Sequence, residues 1–384
     1  MMKSFPSLPL LFAVCILSLC VQLTSAEGMS AQASFSKRCE AAVQCIVSNP
    51  SNETCGVVPV APSKQRFLND TSFSLKLLRE GVYLYTEIAY NTLVLKSGRH
   101  ITLIDFPLAA GSAVTNDSGL LRAIPQVLNG TIPYRVDMVY SHAHFDHIGT
   151  SRLVFNFLRR QYPSAKILVW GTLETRKLIR DSKRQLSVKP NIIVGRRGRT
   201  LFMSPTLMVR LDIIGGHTQS DLRVYIPPSR AGGGIVMFVD VVFPGFAAPF
   251  NFAITQDLRQ YIKSHQRVLR LRFDTFVPGH IGLGNRTDVV VSMEYAKSVL
   301  EAAKQAVASV TLQQQIDAGI GRVSDPNAAE FGNFFFPFVS VLRPLQIEAC
   351  FRIVVEKWGC RLGGTDLVAR GHCFTALQFL DIEL

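Results

Sequence analysis

The chain has 384 residues, 48% of them hydrophobic and 18% charged, with a formal net charge of +13. That is enough apolar material for one large core or two modest ones, and too little charge for a disordered chain. The basic residues are scattered, as in Arg159-Arg160 and Arg196-Arg197-Gly198-Arg199, with no aromatic residues interleaved, so they read as solvated surface and nucleic-acid binding is not expected.

At the N-terminus, Lys3, the apolar run Leu10 to Leu23 and the small residues Thr24-Ser25-Ala26 read as a cleavable secretory signal over residues 1–26, cut after Ala26. The run is too short to span a bilayer, and no later stretch is long and apolar enough for a stable membrane span. Six cysteines follow the signal: Cys39, Cys45 and Cys55 near one end, Cys350, Cys360 and Cys373 near the other. An even number in a secreted chain predicts disulfides. With three cysteines at each end, full pairing needs at least one bridge between the ends. Sequons at Asn52, Asn69, Asn116, Asn129 and Asn285 agree with a secreted glycoprotein.

Residues 27–72 are polar and read as a loop-rich, cysteine-containing extension. From about Phe73 the pattern changes. Short strands are expected at Leu75 to Lys76, Val82 to Ile88, Leu93 to Lys96, His100 to Phe106, Val136 to Tyr140 and Ala165 to Trp170. Further strands are expected at Leu207 to Ile213, Leu222 to Ile226, Ile235 to Val242 and Thr275 to Val277. Helical spacing appears at Ser151 to Gln161 and Arg176 to Arg184, and at Leu120 to Leu128 despite Pro125. Alternating strands and helices predict a layered α/β domain over residues 73–290. A long helix from Val289 to about Ile316, then the aromatic run Phe334-Phe335-Phe336-Pro337-Phe338, open a helical, cysteine-containing extension over 291–384.

The chemistry concentrates in His142-Ala143-His144-Phe145-Asp146-His147, which directly follows a predicted strand. Four potential metal ligands within six residues converge only if the backbone turns sharply. Zinc takes imidazole and carboxylate ligands and keeps a position open for water in catalytic sites. His217, Asp240 and His280 also sit just past predicted strands, where rigid scaffolds display their chemistry. Five of the eight histidines fall in this set; His100, His265 and His372 do not.

With Ile104-Asp105, Ser141-His-Ala-His-Phe-Asp-His147, Gly215-Gly-His-Thr218, Phe238-Val-Asp240 and Pro278-Gly-His280 in this order, the sequence resembles the metallo-β-lactamase superfamily over roughly residues 73–290. The resemblance implies a four-layer αβ/βα sandwich with two zinc ions at one edge. It implies that His142, His144 and His217 hold one ion, that Asp146, His147 and His280 hold the other, and that Asp240 bridges them. A metal-bound hydroxide would attack a carbonyl, Asp146 would also handle a proton, and Asp105 would orient the histidine loop from behind.

The best-known lactamase subgroup carries Cys at the position of Asp240 and a lysine soon after. Here Val241-Val-Phe-Pro-Gly245 follows, without a cation. The expected activity is therefore hydrolysis of a lactone, ester, thioester or amide, on a small-molecule acyl substrate. Phe106, Phe145, Phe243, Phe246, Phe250 and Phe252 gather near the motifs and suit an apolar substrate if they line the mouth. The alternatives are a phosphodiesterase, an iron-dependent sulfur or oxygen redox enzyme, and an inactive secreted binding protein.

Overall fold

The computed structural model describes residues 25–48, 55, 58, 73–108, 118–182, 186–319 and 335–383. Residues 1–24 of the expected 1–26 signal, the sequons at Asn52, Asn69 and Asn116, and the Phe334 to Phe338 side chains lie outside the described residues.

Twelve strands among the described residues form two sheets. The first is ordered β1-β2-β3-β4-β5-β6-β7 and the second β12-β11-β10-β9-β8. The first comprises β1 (Phe73–Arg79), β2 (Val82–Glu87), β3 (Tyr90–Ser97), β4 (His100–Ile104), β5 (Arg135–Val139), β6 (Lys166–Gly171) and β7 (Ile192–Ile193). Its first four strands are an antiparallel meander, and its last four run parallel. The second comprises β8 (Arg199–Ser204), β9 (Leu207–Ile213), β10 (Leu222–Ile226), β11 (Ile235–Met237) and β12 (Thr275–Val277). It is antiparallel except for the β11–β12 pair.

Strand periodicity places alternate side chains on opposite faces, and three apolar clusters follow from it. Leu207, Val209 and Leu211 of β9 and Leu222, Val224 and Ile226 of β10 meet Leu84, Leu93 and Leu95 between the sheets. Ile101, Leu103, Val136 and Met138 face outward from the first sheet onto α2 (Leu120–Leu128), α4 (Ser151–Gln161) and α5 (Leu173–Asp181). Val236 and Phe276 face outward from the second sheet onto α6 (Leu258–Leu269), α7 (Arg286–Ser309), α9 (Phe335–Trp358) and α10 (Thr365–Glu383). Helices, sheet, sheet and helices make the expected αβ/βα sandwich. Two short helices complete the described set, α3 (Phe145–Ile148) and α8 (Leu312–Asp317).

Several elements differ from the expectation. The extension expected to be loop-rich carries a 24-residue helix, α1 (Ser25–Ser48). Phe35, Cys39, Val43 and Ile46, all buried, share one face at helical spacing and join the tail core. The strand expected over Ile235 to Val242 stops at Met237, because Asp240 takes φ 59° and turns the chain. Helix α5 starts one turn before Arg176, where the Thr172 hydroxyl accepts the Thr175 N–H. The helix expected over Val289 to Ile316 is two helices, each opened by its own capping box at Asn285 and Thr311. Strand β8 and helix α6 were not expected.

The six cysteines among the described residues pair, as Cys39–Cys360, Cys45–Cys55 and Cys350–Cys373. The first is the end-to-end bridge that cysteine parity required. Among the described residues no helix is long and apolar enough to cross a membrane.

Two histidines outside the motif are buried in the tail core. His265 donates from Nδ1 to the Tyr261 carbonyl and meets Ser292 Oγ. His372 accepts the Tyr295 hydroxyl at Nδ1 (2.7 Å) and stacks on Phe252. Burial pulls His265 down to about 4 and His372 down to about 3. A depressed folded value means that the unfolded chain binds more protons below about 6.5. Stability contributed by the neutral ring is therefore present above that pH and is lost as pH falls towards the folded value. His372→Asn keeps an acceptor for Tyr295. It should remove about 2–3 kcal/mol of the stability lost between pH 7 and pH 4.5, read as a smaller shift of the urea midpoint than in the wild type.

Candidate metal centre

The backbone after β5 explains how six residues supply four donors. The chain bends over Ser141 to Ala143 and His144 takes φ −67° and ψ 140°, and the two imidazoles come to 4.6 Å between centroids. Helix α3 then swings Asp146 and His147 away to a second position.

The remaining donors arrive from the second sheet. His217 follows β9 through Gly215 and Gly216, whose φ values of 61° and 148° favour glycine. His280 follows β12. Gly279 stands where a Cβ would lie 2.5 Å from Val239 Cγ1 and 2.8 Å from Asp240 Oδ1, so only glycine allows this approach.

The seven expected residues form two clusters that share Asp240. One holds His142, His144, His217 and Asp240, the other Asp146, His147, Asp240 and His280. Asp240 Oδ2 lies 3.6 Å from His142 Nε2, 3.7 Å from His217 Nε2 and 3.1 Å from His147 Nε2. Asp240 Oδ1 lies 3.1 Å from His280 Nε2. The more exposed Asp146 carboxylate stands 3.5 Å from His147 Nε2 and 3.8 Å from His280 Nε2.

Burial dominates the electrostatics. It holds His142 well below the ordinary histidine value, brings His217 down to about 4 and lowers His144. Neutral imidazole is the form that ligates a cation. Burial also opposes charge on His147 and Asp240, but their mutual attraction wins. His147 rises to about 9 through Asp240, Asp105 and Asp146, while Asp240 is held well below the carboxylate range by His147, His280 and His142.

The residues fit a divalent cation. His142 Nε2 and Asp240 Oδ1, which face the clusters, are buried without a hydrogen-bond partner, each a cost of about 1–3 kcal/mol if nothing satisfies it. His144 Nδ1 and His217 Nε2 approach to 2.8 Å, and the Nε2 atoms of His147 and His280 to 3.1 Å. Facing lone pairs at such distances are relieved by a proton or by a cation between them.

A buried frame holds the donors. Asp105, in left-handed backbone at φ 69°, accepts the Ser141 N–H and hydroxyl, both at 2.7 Å, and stands 3.8 Å from His147 Nδ1. It thus fixes the strand end from which the histidine loop departs. Burial raises it to about 6, despite His147 and Ser141.

Sequence reasoning missed other members. Asp221 accepts the Thr218 N–H and hydroxyl and pins the His217 turn; the Thr-x-x-Asp spacing was a usable signal. Asn91 donates from Nδ2 to the Pro278 and Ile281 carbonyls and holds the His280 turn. The Tyr90 ring packs 4.6 Å from His280. Tyr90 and Asn91 sit in an ordinary hairpin and gave no signal.

The phenylalanines divide. Phe243 stacks on His280 at 5.9 Å, and Phe145 is half-buried on the histidine loop. Phe106 and Phe252 are core residues, and Phe250 is 73% exposed.

Gly279→Ala should displace Asp240 and His147. An overpacking cost of about 1–3 kcal/mol, if it falls on the bound state, corresponds to roughly a 5- to 150-fold loss of divalent-cation affinity. Titration against a chelating dye reads it, with circular dichroism confirming an unchanged fold.

No family model matches the chain, and no curated protein matches it. Among solved structures it is similar to a metallo-β-lactamase from Pontibacter korlensis, at 16% identity over 59% of this chain and 99% of that one, TM-score 0.46. It is similar to VMB-1 at 19% identity over 60% and 99%, TM-score 0.45. It is also similar to the metallo-β-lactamase FIM-1 from Pseudomonas aeruginosa at 16% identity over 59% and 96%, TM-score 0.44. At these identities and TM-scores the likeness says nothing of activity, and the four-layer αβ/βα architecture rests on the chain's own packing.

Proposed function

We propose that the chain is a secreted zinc-dependent hydrolase, with residues 1–26 as its signal, residues 73–290 as its catalytic domain and one zinc ion in each cluster. The observation that carries this reading is the Asp240 carboxylate shared between two sets of converging histidine and aspartate side chains. Donors arranged tetrahedrally at about 2.0–2.1 Å from a zinc ion stand roughly 3.3 Å apart. The distances from Asp240 to the four histidines, 3.1–3.7 Å, bracket that value.

His142, His144 and His217 would hold one ion, Asp146, His147 and His280 the other, and Asp240 both. The ions supply a lowered water pKa and polarisation of a carbonyl. Asp146 is the one carboxylate of the pair of clusters that reaches solvent, with 41% of its side chain exposed. With Oδ2 turned to His147 and His280, its other oxygen would hold a proton during attack and deliver it to the leaving group. Asp105 keeps the histidine loop in place throughout. Tyr90 and Phe243 flank His280 with ring surface and favour an apolar acyl group over a phosphodiester. Asp240 and the uncharged stretch after it favour a lactone, ester, thioester or amide over a lactam drug bearing a carboxylate.

Metal analysis of the purified chain should find close to two zinc per chain, and Asp240→Ala should lose most of both. Finding no transition metal in protein kept from chelators overturns the metal reading, whereas iron with oxygen uptake favours redox chemistry at the same donors. A panel of lactones, thioesters, nitrocefin and bis(nitrophenyl) phosphate then decides the substrate. Turnover of only the phosphodiester overturns the acyl reading. Asp146→Asn should lower kcat by about 10²–10⁴-fold on whichever substrate is cleaved.

A further inference from the structure

The loop after Asp240 also forms one wall of a second cavity, about 240 Å³ in volume, between the sandwich and the α9–α10 turn. An apolar cavity of roughly 150 Å³ already admits benzene, so this one has room for a substituted ring. Phe243, Phe246, Val291 and Leu362 give it apolar walls.

Three polar side chains also reach the cavity. Asp288 is committed to the α7 cap, where it accepts the Asn285 N–H at 2.9 Å. The Ser292 hydroxyl lies between the Val241 carbonyl and His265 Nε2. Arg361 is different. Its guanidinium lies 4.1 Å over the Trp358 ring, it is exposed, and among the described residues it makes no ion pair. An arginine held flat on an aromatic face keeps its N–H edge for a planar anion, which a carboxylate matches with two parallel hydrogen bonds.

We propose that this cavity is a second ligand site, for a small carboxylic acid with an apolar body. The body lies against Phe246, Val291 and Leu362, and the carboxylate meets Arg361. The walls are fixed relative to one another. Gly363 donates its N–H to the Gly245 carbonyl, and Ala247 donates to the Gly363 carbonyl, each at 3.0 Å. The site stands one ring from the second metal cluster, because Phe243 both lines the cavity and stacks on His280. The proposal does not depend on which reaction the metal centre performs.

The test is calorimetric titration of phenylacetate into the full disulfide-bonded chain. Saturable binding at one equivalent is expected. Arg361→Gln and the neutral isostere phenylacetamide should each weaken it about tenfold or more, in line with the strength of a charge-assisted bidentate contact. Val291→Trp, which fills the cavity, should abolish it. Acetate, which has the head without the body, should not compete at equal concentration. Arg361 is exposed, so its replacement leaves the fold in place, and an unchanged thermal transition verifies this for both variants. No saturable binding at millimolar phenylacetate overturns the proposal. Equal binding to the wild type and both variants also overturns it, placing the acid at the metal centre or elsewhere.

Discussion

A single buried carboxylate has to satisfy four imidazoles at once. Asp240 does so from left-handed backbone, a conformation that costs a non-glycine residue on the order of 1 kcal/mol. The cost is tolerated because the surroundings fix it from several directions. Strand β11 ends before it, Gly279 leaves the space beside Oδ1 empty, and Tyr261 donates its hydroxyl to the carbonyl of the next residue, Val241. Asp105, opposite, is in the same backbone region and is anchored by Ser141. Strain thus gathers at the two aspartates that face the histidine loop from either side.

The donors come from both sheets: four from the end of β5, and His217, Asp240 and His280 from the ends of β9, β11 and β12. Their spacing therefore depends on how the sheets seat against each other. The interdigitated leucines and valines between the sheets set that seating, because a close-packed interior deforms little. The metal-type geometry at the rim is in this sense a reading of the core beneath it.

The sequence announced the site more clearly than it announced the elements. His142 to His147 is dense in donors, and His217, Asp240 and His280 each follow a strand that period-2 patterning exposes. The supporting frame was less legible. Asn91 and Tyr90 act through contacts made across more than 180 residues, which local pattern does not encode. Strand β8 was obscured because Arg199, Thr200 and Phe202 face solvent at a sheet edge and resemble the charged run before them. Helix α1 was hidden by its polar composition, although Phe35, Cys39, Val43 and Ile46 mark one face. Cysteine parity required a bridge between the ends, but geometry had to choose Cys39–Cys360.

That bridge joins the first part of the chain to be made to one of the last. Cys360 is 321 residues from Cys39, and three residues after it Gly363 bonds the loop that follows Asp240 on both sides. During synthesis the histidine loop and Asp240 leave the ribosome more than a hundred residues before the turn that braces them. The growing chain therefore contains the histidine loop and Asp240 before it contains their brace. The Cys39–Cys360 bridge then closes N-terminal helix, brace and sandwich into one loop of chain.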